Sequence, residues 1–458
     1  MKRNSGIARR AALGLSSWAA LGACGLLPKL AFAQDGLFDL RGAIDATHEG
    51  LRPGAPDDQT AMLSRALTKA EREERPLFLP PGRYRVAGVT LTPHTHLIGV
   101  PGRTRLVFGG SGFMLAAKGL QFLRLEGVTL DGQNLPLEAP ALLDADEVAD
   151  CVIDDCEFLG SGAAGLTLRA AAGRVERCRS HQNRTIGIDI AMARGMAIAD
   201  NVVADCGDTG ILIRRDAEGE DGTLVSGNRV QNIRADSGGT GQNGNGINLD
   251  KANGVIVADN RVESCAFSAM RAFSSDALAI SGNVLTRSGE MALYVEFASE
   301  GAIVSNNLID RGNGGISFAN FAEHGGRLGI CAGNIVRNIT GGPRYPDGNA
   351  QIGAGISVEA DMAVTGNLVE DCVWGLKLGW GPHLRDVNAS GNVIRRTRIG
   401  IAVSVVEGGG PALISGNLIS GASEGAILGM RWEDVATGEL AAGEEAIEGV
   451  TVEGNVVG

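Results

Sequence analysis

Residues 246–262 read Gly-Ile-Asn-Leu-Asp-Lys-Ala-Asn-Gly-Val-Ile-Val-Ala-Asp-Asn-Arg-Val, and the reading of this stretch decides the fold. Ile247, Asn248, Leu249 and Asp250 alternate apolar and polar, which turns Ile247 and Leu249 to one face of a strand and Asn248 and Asp250 to the other. Asn253-Gly254 is a turn signal, and Val255-Ile256-Val257 is a second short strand that ends at Asn260 before Val262 starts a third. The same punctuation recurs. A Gly-Asn or Asp-Asn step followed by an apolar residue returns at Asn201, Asn228, Asn260, Asn283, Asn307, Asn334, Asn367, Asn392, Asn417 and Asn455, at intervals of 23 to 38 residues. A Gly-apolar strand start keeps phase with it, at Gly187, Gly210, Gly246, Gly315, Gly355, Gly375 and Gly400. A unit this short cannot hold two packed helices, but it suits one circuit of a three-sided coil whose apolar face is buried only by stacking on the next circuit. The expected fold is therefore all-β: a single-stranded right-handed parallel β-helix of 11 to 13 rungs.

Composition agrees. With 68 glycines among 458 residues and only 4% aromatic residues, the chain has the turn density of an all-β protein rather than the long apolar periods of helices. An unbroken repeat favours one solenoid over the two or three domains that length alone suggests.

Residues 1–33 have the layout of an export signal: Lys2, Arg3 and Arg9-Arg10 precede an apolar stretch, and Ala31-Phe32-Ala33 offers small residues for cleavage. The Arg9-Arg10 pair followed by Leu13 resembles a twin-arginine signal, which implies recognition by the twin-arginine translocation machinery and a periplasmic destination. Leu21-Gly22-Ala23-Cys24 offers an alternative lipoprotein box. Gly14, Gly22, Gly25 and Pro28 interrupt the segment and argue against a stable membrane span. Cleavage removes five basic residues and no acid, leaving 36 basic against 53 acidic residues. A surface so acidic repels nucleic acid, which excludes that class of partner.

Residues 34–106 differ from the repeats at 107–458 and read as a cap with the first coils. Asp57-Asp58-Gln59-Thr60 supplies capping side chains for a helix over 58–73, with Ala61, Leu63, Ala66, Leu67 and Ala70 as its apolar stripe. Then come Leu79-Pro80-Pro81-Gly82-Arg83-Tyr84, Leu97-Ile98-Gly99 and Leu125-Glu126-Gly127-Val128-Thr129-Leu130-Asp131-Gly132. This order resembles the N-terminal region of pectate-lyase-like right-handed parallel β-helix proteins. With the Arg-Arg signal, the whole chain is similar to the twin-arginine-translocated β-helix repeat protein family. The resemblance speaks to fold. Alginate epimerases of this fold carry Asp-Pro-His-Asp, and polygalacturonases carry Gly-His-Gly and Arg-Ile-Lys; this chain has none of these, so no catalytic residue is carried over by match.

Seven cysteines follow the signal, an odd number, and Cys206, Cys265 and Cys372 each fall five residues after a repeat asparagine. That column reads as buried, inert thiols. Cys156 and Cys178 occupy the asparagine column in adjoining rungs, where a stacked disulfide and two buried thiols are both open. No Cys-x-x-Cys or His-rich spacing points to a metal or cofactor, and none is identified.

Function on a coil must use outward positions. Superposing the Gly-apolar strands gives one outward column of Asn248, Arg271, Tyr294, Ser317, Ser357, Lys377 and Ala402, and a second of Asp250, Phe273, Glu296, Ala319, Glu359, Gly379 and Ser404. Acids, a tyrosine and two cations concentrate there. Carboxylates two rungs apart stand roughly 9 to 10 Å from one another, a spacing near that of inverting glycosidases. The expected catalytic set is Asp250, Arg271, Tyr294, Glu296 and Glu359, with Arg271 placed to hold the flanking carboxylates and Tyr294 to move a proton. Asn248, Asn320, Lys377 and Trp380 are the expected substrate-binding residues, the indole serving as a sugar platform. Insertions at 236–245, 341–353, 214–222 and 320–327 flank the same strands and suggest groove walls. His324, in one of them, reads as solvent-facing, and His94 and His96 as structural. The expected function is an exported carbohydrate-active protein, a polysaccharide lyase or glycoside hydrolase acting on an extended polysaccharide or oligosaccharide; the alternative is a non-catalytic envelope protein that binds glycan or protein through the same face.

Overall fold

Asn283 donates from both its backbone N–H and its side-chain amide to Oδ1 of Asn307, each at 3.0 Å, and Asn307 repeats the pattern on Asn334. This ladder runs unbroken from Asn201 to Asn455 and explains why the sequence returns to asparagine: a buried carboxamide satisfies its own rung and the next. The second amide hydrogen of each asparagine caps a carbonyl of the preceding rung, as Asn307 does with Ile280. The residue before each asparagine, Asp259, Gly282, Gly333 or Gly391 among others, has φ between 55° and 70°, which favours Gly, Asn and Asp there.

The computed structural model describes residues 42–239, 241–319, 327–343, 351–443 and 445–458. Within Gly42–Gly458 the chain winds about 13 turns of a right-handed parallel β-helix. Each full turn contributes a strand to each of three faces. Ile256–Ala258 lies in the first, Arg261–Cys265 in the second and Met270–Phe273 in the third. The first face is a 16-stranded parallel sheet. The second and third faces, each a sheet in its own right, are joined into one 28-stranded sheet where strands such as Val284–Glu296 and Leu308–Ala319 run around the corner between them. Inward residues from all three faces form one continuous core, filled mainly by Val, Ile, Leu and Ala.

The Gly-apolar signal has a steric cause. A Cβ on Gly210 would lie 2.4 Å from the carbonyl oxygen of Gly246 in the next rung, and one on Gly315 only 2.0 Å from that of Gly355. Glycine is needed where stacked backbones approach this closely.

The predicted cap helix is observed over Thr60–Arg72, and it buries Leu63, Ala66, Leu67 and Ala70 against the first rung. Ala61, assigned to the apolar stripe, is exposed instead, because it lies about 200° around the helix from Leu63, on the side away from the stripe. His94 bonds Glu71 of that helix and ties the cap to the coil, while His96 bonds Glu126 across two adjoining rungs of the first face. The seven described cysteines are free and buried. Cys156 and Cys178 are thiols whose Sγ atoms donate to main-chain carbonyls. Among the described residues, no helix is long and apolar enough to cross a membrane.

Candidate functional site

Strand register settles which side chains share a face. Asn248 pairs with Arg271, Arg271 with Tyr294, Tyr294 with Ser317, Ser317 with Ser357, Ser357 with Lys377 and Lys377 with Ala402. Their neighbours Ile247, Leu249, Met270, Ala272, Leu293 and Val295 belong to the core, so the column itself points outward on the third face. In the second column Asp250 pairs with Phe273, Phe273 with Glu296 and Glu296 with Ala319.

At the centre Arg271 and Glu296 form an ion pair, with Nη2 and Nε of the guanidinium 2.5 and 2.6 Å from Oε2. Only 11% and 13% of these side chains are exposed, so the pair is largely withdrawn from water although it lies on an outward face. Phe273, not Arg271, stands directly between Asp250 and Glu296. The guanidinium lies 5.0 Å from the centre of that ring, and Phe297 meets Phe273 edge-on at 5.9 Å. These aromatics do the shielding. Tyr294 is half-buried in the same column as Arg271, one rung on.

A second cluster lies toward the C-terminal end of the same face. Lys377 reaches 3.7 Å from Glu359 and 3.4 Å from the Ser357 hydroxyl, and its ammonium stands 4.4 Å above the Trp380 ring. Burial pushes the Lys377 amine down from its ordinary range, against which Glu359 pulls it back. Glu359 itself is buried beneath this contact. Trp432 packs edge-on against Trp380 at 5.4 Å. It is carried at the tip of the hairpin Gly425–Arg431 and Asp434–Glu439, the one antiparallel strand pair among the described residues. Beneath it Trp374, Ile399, Ala402, Leu428 and Met430 make a small apolar layer outside the main core.

Asn248 is placed differently from expectation: it faces outward yet is 4% exposed, because the insertion before it reaches over and Gln242 accepts from its amide at 3.5 Å. Asn320 and His324 lie outside the described residues, as does the signal over 1–33. The sequence reading missed the same two columns farther up the coil. There Asp144, Thr167, Asp189, Leu212 and Asn248 stand in register, beside Asp146, Arg169, Ala191, Arg214 and Asp250. Arg214 holds Asp189 through two bonds of 2.9 Å. A further groove of about 630 Å³ lies off this face, at the corner between second and third sheets. Its arginines, Arg234 and Arg287, are already paired with Asp236 and Glu263.

Three comparisons bear on this geometry. Residues 141–241 match the family model described as right handed beta helix region. No curated protein matches the sequence. Among solved structures the chain is similar to the pre-mature bacteriophage phi29 gene product 12, with 13% identity and a TM-score of 0.49 over 84% of this chain and 55% of that one. It is also similar to the catalytic unit of an α-1,3-glucanase from Streptomyces thermodiastaticus, with 14% identity and a TM-score of 0.43 over 91% and 69% of the two chains. The mannuronan C-5 epimerase AlgE6 A-module of Azotobacter vinelandii gives 14% identity and a TM-score of 0.40 over 90% and 99%. The chain spans little more than half the length of the bacteriophage protein. These likenesses are of fold.

Proposed function

We propose that the chain is a carbohydrate-active protein that lays an extended glycan along the outward side of the third sheet and acts on it as a lyase or glycoside hydrolase. The observation that carries this reading is the Arg271–Glu296 pair, shielded by Phe273 and flanked by Tyr294. Charged groups, a phenol and aromatic faces in one outward row provide what a sugar polymer needs: hydrogen bonds to hydroxyls, a counter-charge for a carboxylate and rings for stacking. Asp250 lies on the N-terminal side of the row, and Lys377 with Trp380 on the other, so several sugar units have contacts in line. The rungs set the pitch of those contacts at about 4.8 Å. We further propose, from Arg9-Arg10 and the apolar stretch after it, that the protein is exported by the twin-arginine route to the periplasm.

The test is product detection on a panel of neutral and uronic-acid polysaccharides, comparing the wild type with Glu296→Gln. The reading expects turnover of at least one polymer and a lower kcat/KM in the variant. Unchanged kcat/KM would remove Glu296 from the site. One observation favours a second reading, in which the face binds glycan without cleaving it: Glu296 is already engaged by Arg271, an arrangement suited to holding a ligand in its ground state. Retention of a polymer by the protein with no product from any of the panel would select it.

A further inference from the structure

We propose that Asp144 and Asp189, which flank Thr167 on the outward column of the third sheet, are the general acid and general base of a glycoside-hydrolysing centre that inverts the anomeric carbon. This rests on the glycan reading above and names a reaction and a place for it, on the same face but N-terminal to the Arg271–Glu296 pair.

Register puts Asp144 beside Thr167, and Thr167 beside Asp189, in successive rungs. The two carboxylates are therefore roughly 9 to 10 Å apart, at the upper end of the separation that leaves room for a water between base and sugar. The residue between them is small. Thr167 faces outward between the core residues Leu166 and Leu168, is only 5% exposed, and its hydroxyl has no hydrogen-bond partner among the described residues. A hydroxyl buried between two carboxylates without a partner among the described residues is costly. By contrast, Phe273 fills the equivalent position between Asp250 and Glu296.

The two acids have opposite surroundings. Asp189 is bound by both arms of Arg214 at 2.9 Å, which supplies its counter-charge and fixes its plane. No cation pairs with Asp144 among the described residues; burial, then Asp146 and then Asp189, push its carboxyl upward. The remaining charges nearby are already paired. Lys118 lies 3.8 Å from Asp146, and Arg169 is held at 3.0 Å by Asp216, two residues beyond Arg214 on its strand. A carboxyl without a cation suits the acid, and one gripped in a fixed plane by an arginine suits the base.

In the step, the Asp144 carboxylic acid gives its proton to the glycosidic oxygen as the bond to the anomeric carbon breaks and its electron pair goes to that oxygen. A water molecule on the opposite side of the ring forms the new carbon–oxygen bond and loses a proton to the Asp189 carboxylate. One water is consumed. The products are an alcohol on one fragment and a new reducing end of inverted configuration on the other, and proton exchange with solvent restores both acids.

The experiment incubates the full chain with an α-glucan, a β-glucan, a xylan, polygalacturonate and alginate, measures new reducing ends, and reads the fresh anomer by proton NMR. Wild type, Asp144→Asn and Thr167→Val are compared; neither variant breaks a hydrogen bond or ion pair of the described residues. The proposal expects an inverted product and a kcat about 100-fold lower or more in Asp144→Asn, with KM nearly kept. It also expects the basic limb of the kcat profile to vanish in that variant and Thr167→Val to lower kcat without changing thermal stability. Hydrolysis that both variants sustain at the wild-type rate, a retained anomer, or an unsaturated product of elimination would overturn the assignment and leave the glycan reading standing. Polymer binding without cleavage would do the same. Neither binding nor cleavage of any polymer would overturn both.

Discussion

Replacing Asn307 by alanine removes one carboxamide from the middle of the buried ladder, and the structure gives the cost. Oδ1 of Asn307 accepts from the backbone N–H and the side-chain amide of Asn283, while its own amide donates to the Ile280 carbonyl and to Asn334. The truncation orphans two buried donors on Asn283 and weakens a buried carbonyl. At roughly 1 to 3 kcal/mol for each group left unsatisfied, the expected loss is about 3 to 5 kcal/mol, a large share of the stability of an ordinary domain. Asn307→Asp separates bonding from packing. It keeps the shape and the accepting oxygen, but turns an acceptor toward the Ile280 carbonyl and Asn334, so its loss should be at least as large. Asn455 ends the ladder and is only partly buried, and Asn455→Ala should cost about 1 kcal/mol. Urea unfolding followed by circular dichroism measures all three. A loss at Asn307 below 1 kcal/mol, or one equal to that at Asn455, would refute the claim that the asparagines hold the rungs together.

Other outcomes follow from the same structure. Arg271→Met leaves Glu296 as an unpaired, largely buried charge and should cost about 3 to 5 kcal/mol in the same assay, part of which Glu296→Leu restores in the double variant. Burial pushes the Cys151, Cys206, Cys265, Cys331 and Cys372 thiols up to about 12, so a thiol reagent at neutral pH should label none of them until the protein is unfolded. Tyr84, buried and donating to the Pro80 carbonyl, is likewise raised to about 12. Because these groups hold their protons more tightly folded than unfolded, the stability they contribute is complete below about pH 9 and is lost as pH rises toward 12; urea midpoints across that range check it. Replacing Arg9 and Arg10 by lysine should leave the protein in the cytoplasm, read by cell fractionation; unchanged export would reject the twin-arginine route.

The ladder and the outward columns from Asn248 to Ala402 were legible because their causes are local. Each asparagine and each crowded glycine marks its own rung, so phase carries from one circuit to the next. What lay beyond the sequence was the partner of each side chain. Phase already sets Phe273 between Asp250 and Glu296, but only packing shows that the Arg271 guanidinium lies beside that ring and pairs with Glu296. Thr167 and Asp189 follow the Gly-apolar steps Gly165-Leu166 and Gly187-Ile188 and were open to the same reading, whereas Asp144 follows Leu142-Leu143 and has no marker to announce its register. Trp432 sits on a hairpin that reverses direction and leaves the repeat, where periodicity says nothing of position.

The central claim is that a glycan lies along the outward side of the third sheet. A crystal structure of the protein with an oligosaccharide of whichever polymer it retains tests this most directly. The account predicts sugar rings over Phe273 and the Arg271–Glu296 pair, running parallel to the axis of the coil. Sugar seated on the first sheet, or at the corner groove beside Arg234 and Arg287, would contradict it.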